Sequence, residues 1–100
     1  MKRLGVNIDH IATLRNARGE KHPNPVFAAK EVIKLGANSV TIHLREDRRH
    51  INDLDTKEIC ALKEVLFNIE VSMNSEINKK ALKYKANYIC IVPENRKEIT

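Results

Sequence analysis

The sequence contains no tryptophan, two phenylalanines and two tyrosines. Readers of RNA and of single strands stack bases on aromatic rings, so this scarcity argues against nucleic acid as the partner. Only two cysteines occur, Cys60 and Cys90. They cannot build a disulfide framework, and neither lies in a CxxC or other metal-ligand spacing, so both are expected to be buried thiols. Three glycines and three prolines leave no linker and no low-complexity tract. No apolar run reaches the roughly 18 residues of a membrane span, and no signal-peptide core opens the chain, so no membrane role and a cytoplasmic location are expected. Asp9, His10, His43, His50 and Glu70 are chemically capable metal ligands, yet no HxH or HExxH spacing aims two of them from one element, and no metal is expected. A nucleophile elbow and a Walker loop are also missing.

What is present is one domain's worth of chain: 100 residues, 11.5 kDa, 42% hydrophobic and 31% charged. That composition reads as soluble and globular. The net charge of +5 raises a basic binding module as a rival reading, but the lysines spread over helices rather than forming one basic face. A closed eight-stranded α/β barrel needs at least about 200 residues, so these residues alone cannot close one.

Three helices are predicted. One has Asn24 as cap, Pro25 in the first turn, Gly36 beyond its end, and Val26, Ala29, Val32 and Ile33 on one face. A second opens at Asp55 with Glu58 three residues on, and carries Ile59, Leu62, Val65 and Leu66. A third starts near Asn74 or Ser75, with Ile77, Ala81, Leu82 and Tyr84 inward and Lys79, Lys80, Lys83 and Lys85 solvated. Strands are predicted at Leu4–Ile8, Ser39–Leu44, Phe67–Val71 and Tyr88–Val92. The order βαβαβαβ implies a parallel sheet with right-handed crossovers. Stretches 36–42 and 85–91 echo one another as helix exit followed by strand.

Residues alternate along these strands. Leu4, Val6 and Ile8 oppose Gly5 and Asn7. Val40, Ile42 and Leu44 oppose Ser39, Thr41 and His43. Phe67, Ile69 and Val71 oppose Asn68 and Glu70. A doubly wound sheet would be apolar on both sides. Two architectures fit one polar side: a barrel wall with that side inward, or an open sheet with it in water.

The C-terminal strand ends deliver Asn7, Asp9 and His10 from the first strand, His43 and Arg45 from the second, and Glu70 from the third. That is where α/β enzymes place their chemistry. A histidine and a carboxylate on adjacent parallel strands suit proton transfer. The loops expected at 10–24 and 45–54 hold Arg15, Arg18, Arg45, Arg48 and Arg49, five of the seven arginines. Arginine's planar fork binds phosphate bidentately, so an anionic substrate, a phosphate ester, is expected. Local pairing of Arg48 and Arg49 with Glu46 and Asp47 is the competing use, expected for at least one of them. Another phosphate-handling isomerase or aldolase barrel is the rival enzyme, although no predicted strand carries a Schiff-base lysine.

The stretch Gly5-Val6-Asn7-Ile8-Asp9-His10-Ile11-Ala12-Thr13-Leu14-Arg15-Asn16-Ala17-Arg18-Gly19 resembles the opening of the pyridoxine 5′-phosphate synthase family. Thr41-Ile42-His43-Leu44-Arg45-Glu46-Asp47-Arg48-Arg49-His50-Ile51 is similar to that family's second signature. Asn68-Ile69-Glu70-Val71 and Val92-Pro93-Glu94-Asn95-Arg96 follow in order. The resemblance covers the whole chain. It implies a (β/α)8 barrel of which residues 1–100 are the N-terminal half, and a homo-octamer. It also implies condensation of 1-deoxy-D-xylulose 5-phosphate with 3-amino-2-oxopropyl phosphate to pyridoxine 5′-phosphate, phosphate and water, with no cofactor. By the same resemblance His43 and Glu70 are proton acceptors, and Asn7 and Arg18 hold the amino-oxopropyl phosphate. Asp9, His10, Arg45, His50 and Thr100 contact the deoxyxylulose phosphate. The family's later catalytic histidine and glycine-rich phosphate loops have no counterpart here, so the 100 residues alone are expected to be inactive.

Overall fold

Alternating β-branched residues on one side of each segment pull the chain into strands whose apolar edges must be covered. The computed structural model, which describes residues 2–100, contains β1 (Gly5–Asn7), α1 (Asp9–Arg18), α2 (Pro25–Lys34), β2 (Ser39–His43), α3 (Asp53–Cys60), β3 (Phe67–Val71), α4 (Ser75–Lys83) and β4 (Tyr88–Ile91). The strands form one parallel sheet in the order β1-β2-β3-β4. This simple sequential order is that of adjacent strands in a barrel wall. A doubly wound sheet would reverse direction partway.

The period-two pattern decides which side is covered. Val40, Ile42 and Leu44 of β2 and its exit, and Phe67, Ile69 and Val71 of β3, are buried with Ala29, Ile59, Ile77 and Ala81 from the helices. Each fully buried aliphatic side chain contributes roughly 1.5–3 kcal/mol. Ser39, Thr41, His43, Asn68 and Glu70 lie on the other side and stay partly accessible. On that side a Cβ added to Gly5 would meet Ser39 Oγ at 3.0 Å. Every residue of β4 is exposed. Ile89 and Ile91 pair with the buried Ile69 and Val71 and so continue the apolar side. Tyr88 and Cys90 continue the polar side.

Four expectations are corrected. The segment after β1 is a helix over most of its length, not a loop. Its apolar stripe is thin, with only Asp9 and Ala12 buried, so periodicity conceals it. Its signals are instead at its ends: Asp9 in the first turn, Arg15 and Arg18 in the last, and Gly19 closing it in the left-handed region at φ 66°. The helix before β3 opens earlier than Asp55. Asn52 caps it and accepts from the Asp55 amide, while the Asp55 carboxylate accepts from the Asn52 amide. That helix stops at Cys60, so Leu62 and Val65 reach the core from the following turns and Leu66 is exposed. The two thiols do not share one fate. Cys60 is half-buried and burial pushes its thiol up, whereas Cys90 is exposed on β4.

The caps of α2 and α4 agree with expectation. Asn24 accepts from the Val26 amide, and Asn74 accepts from the amides of Glu76 and Ile77.

Candidate active site

Parallel pairing sets the site's frame, because Asn7 pairs with Thr41 and His43 pairs with Glu70 in register. Asn7, His43 and Glu70 therefore meet at the C-terminal ends of three neighbouring strands, on the uncovered polar side. Asn7 Nδ2 donates to Asp9 Oδ2 at 3.0 Å and reaches Glu70 Oε1 at 3.5 Å. Asn7 Oδ1 in turn accepts from the Asp9 amide at 2.8 Å. Asp9 is 6% exposed, and its Oδ1 accepts from the His43 amide at 2.7 Å. Asp9 thus ties β1 to β2 beneath the two groups best suited to move protons.

A second cluster lies beside it. Thr13 Oγ1 sits 2.7 Å from His50 Nδ1 and 3.1 Å from His10 Nδ1, and the two imidazoles meet edge to face at 5.0 Å. His50 is 3% exposed and its Nε2 is buried without a hydrogen-bond partner. Burial pushes the His50 imidazole below its usual range; Asp9 opposes this, while His10, Arg45 and Arg49 add to it. One nitrogen of the buried ring is thus left unpaired.

The arginines behave differently from expectation. Each of the five is held by a carboxylate: Arg15 by Asp55, Arg18 by Glu20, Arg45 by Asp47 and Glu98, Arg48 by Asp53, and Arg49 by Asp47. The expected local pairing holds for Arg49. Arg48 instead pairs with Asp53 and donates to the Arg45 and Glu46 carbonyls. Arg45 is 1% exposed and uses four of its five N–H groups, on Asp47, Glu98 and the Asn95 carbonyl. Burial alone would raise the Asp47 carboxyl, but hydrogen bonds from Arg45 and Arg49 hold it at about 2. These arginines fasten loops: Arg45 and Arg49 bind carbonyls of Asn95, Arg96 and Glu98, lashing the segment after β4 to the segment after β2.

The polar strand ends therefore bring together Asn7, Asp9, His43 and Glu70, with His10 and His50 alongside. Arg18 is exposed and paired with Glu20, and Thr100 is exposed at the end of the described residues. Two further residues touch these side chains although periodicity did not mark them. Thr13 links the two imidazoles. Glu94 places a buried carboxylate 3.4 Å from His43 Nε2. The signal for Glu94 was a carboxylate directly after a strand-ending proline. Among the described residues no group of three or more His, Cys, Asp or Glu side chains is placed to hold a metal ion.

Known proteins resemble this chain along nearly all of its length. The profile of the family described as "Pyridoxal phosphate biosynthesis protein PdxJ" matches residues 4–100. The chain is 64% identical over its whole length to the pyridoxine 5′-phosphate synthase of Pelagibacter ubique, covering 42% of that protein. It is 50% identical over 97 residues to the enzyme of the same name from Photobacterium profundum, and 52% identical over 98 residues to that of Ruegeria pomeroyi, covering 40% of each. The chain spans about two fifths of the length of these relatives. With a match over nearly all of its residues, the chain belongs to the PdxJ family of pyridoxal phosphate biosynthesis proteins.

Proposed function

We propose that residues 1–100 supply the N-terminal half of a (β/α)8 barrel and half of the active site of a pyridoxine 5′-phosphate synthase. The observation that carries this reading is the in-register pair His43 and Glu70 at the C-terminal ends of adjacent strands, on the uncovered polar side, with Asn7 in reach of Glu70. Joining the amine of 3-amino-2-oxopropyl phosphate to the ketone of 1-deoxy-D-xylulose 5-phosphate, then losing water and phosphate, requires several proton transfers. Two basic groups on one wall suit that task. His43 and Glu70 act as proton acceptors.

Asn7 and Arg18 bind the amino-oxopropyl phosphate. Asp9, His10, Arg45, His50 and Thr100 bind the deoxyxylulose phosphate, with the unpartnered Nε2 of His50 offering a ready hydrogen-bonding position. Arg45 contributes through its one remaining N–H and by holding its loop. No cofactor takes part. The complete protein works as a cytoplasmic homo-octamer. No helix among the described residues is long and apolar enough to cross a membrane.

The test is a hybrid in which this chain replaces the segment it aligns with in the Pelagibacter ubique relative. The hybrid is expected to form pyridoxine 5′-phosphate from the two phosphorylated substrates. A folded hybrid that forms none overturns the reading.

A further inference from the structure

We propose that Glu94 is the positioning residue of His43: it fixes the imidazole's tautomer so that Nδ1 is the nitrogen that accepts a proton. The inference rests on the reading of His43 as a proton acceptor. His43 and Glu94 side chains are 14% and 6% exposed, and His43 Nε2 lies 3.4 Å from Glu94 Oε2. Both atoms are buried, and neither has an aligned hydrogen-bond partner. The other carboxylate oxygen, Oε1, accepts from the Glu46 amide at 3.0 Å, which sets the carboxylate's orientation.

A buried carboxylate oxygen without a donor is costly, and an imidazole lone pair facing it would add repulsion. A proton on Nε2 removes both penalties, and a small ring rotation aligns the bond. Nδ1 then keeps its lone pair. Nδ1 is not among the buried unpartnered atoms and makes no hydrogen bond among the described residues, so it is the nitrogen open to the polar side. The supports are independent of His43 itself. The Val92 amide donates to the Val71 carbonyl at 2.8 Å, and Arg45 and Arg49 fasten Asn95, Arg96 and Glu98. Asp9 fixes the His43 backbone from the opposite side. A carboxylate holding a histidine in one tautomer and stabilising its protonated form is an established catalytic device.

Glu94→Gln separates this role from simple packing. The Gln carbonyl keeps the Glu46 amide, which turns its NH2 toward His43. Nε2 must then accept, and the ring proton moves to Nδ1. In the hybrid enzyme, Glu94→Gln is expected to lower kcat about 100-fold with KM little changed. Glu94→Asp keeps the charge and retains part of the rate. Adding Glu94→Gln to His43→Asn is expected to cost nothing further. Imidazole nitrogen-15 shifts, read above the histidine titration range and assigned by loss in His43→Asn, are expected to place the His43 proton on Nε2, and on Nδ1 after Glu94→Gln.

An unchanged kcat in Glu94→Gln, additive losses in the double variant, or a His43 proton already on Nδ1 in the parent overturns the inference. If the parent hybrid makes no product, the synthase reading falls, while the proton's position on His43 still decides the role of Glu94.

Discussion

Burial of His50 disfavours the charged form of its imidazole, and that gives the fold a pH signature. Its folded value lies below the ordinary 6.5, chiefly through burial. Unfolded, it takes up a proton near the ordinary value; folded, it does so only at lower pH. The unfolded state therefore binds more protons below about pH 6.5, and stability is lost as pH falls from there through the folded value. Urea unfolding between about pH 8 and about pH 5 should show stability falling toward acid, with a shallower fall in His50→Gln. An identical slope in the variant would assign the loss to other groups. Asn7, His43 and Glu70 were legible as candidate site residues because strand alternation places them on one side without any long-range information. Glu94 was not, because its contact with His43 depends on how the chain turns after β4.

Helix α3 shows how one residue type at one spacing can serve two ends. Asp55 closes the capping box with Asn52 and also takes both Nη groups of Arg15 in α1, at 2.5 and 2.9 Å, from 40 residues away. Asn52→Ala removes a cap and is expected to cost about 1 kcal/mol. Asp55→Ala removes half the box and leaves the Arg15 guanidinium, with a side chain only 12% exposed, without its partner. Its expected cost is about 3 kcal/mol. Denaturant unfolding of both variants checks the order, and equal losses would mean that the Arg15 bridge adds nothing. The same element explains a misreading: Asp55 with Glu58 has the spacing of a capping box, but Asn52 with Asp55 has it three residues earlier and wins because both hydrogen bonds form there. Helix α1 escaped a search for apolar stripes for the opposite reason, since its identity is written in its end residues and not along its face.

Across the whole molecule, the polar side and the bare β4 belong to one design. Helices cover the apolar side, the polar side carries the candidate site, and Ile89 and Ile91 extend the apolar side beyond the last helix. An exposed parallel edge of this kind invites pairing with further strands. The 100-residue chain by itself is therefore expected to give no pyridoxine 5′-phosphate from the two substrates under conditions where the hybrid does; turnover by the chain alone would show that the four strands suffice. The alternation behind this architecture was readable in sequence. The gathering of arginines was readable too, but not its use, since Arg45 finds Glu98 from 53 residues away and Arg15 finds Asp55 from 40. Charge segregation marked the segments that follow β1 and β2, while the ion pairs that occupy them appear only in three dimensions.

In the proposed function, His43 and Glu70 together move the protons of the condensation. The most direct measurement is kcat of the hybrid enzyme carrying Glu70→Gln or His43→Asn. Each substitution is expected to lower kcat by about 100-fold or more while the fold persists. Turnover by both variants at the parent rate would contradict it.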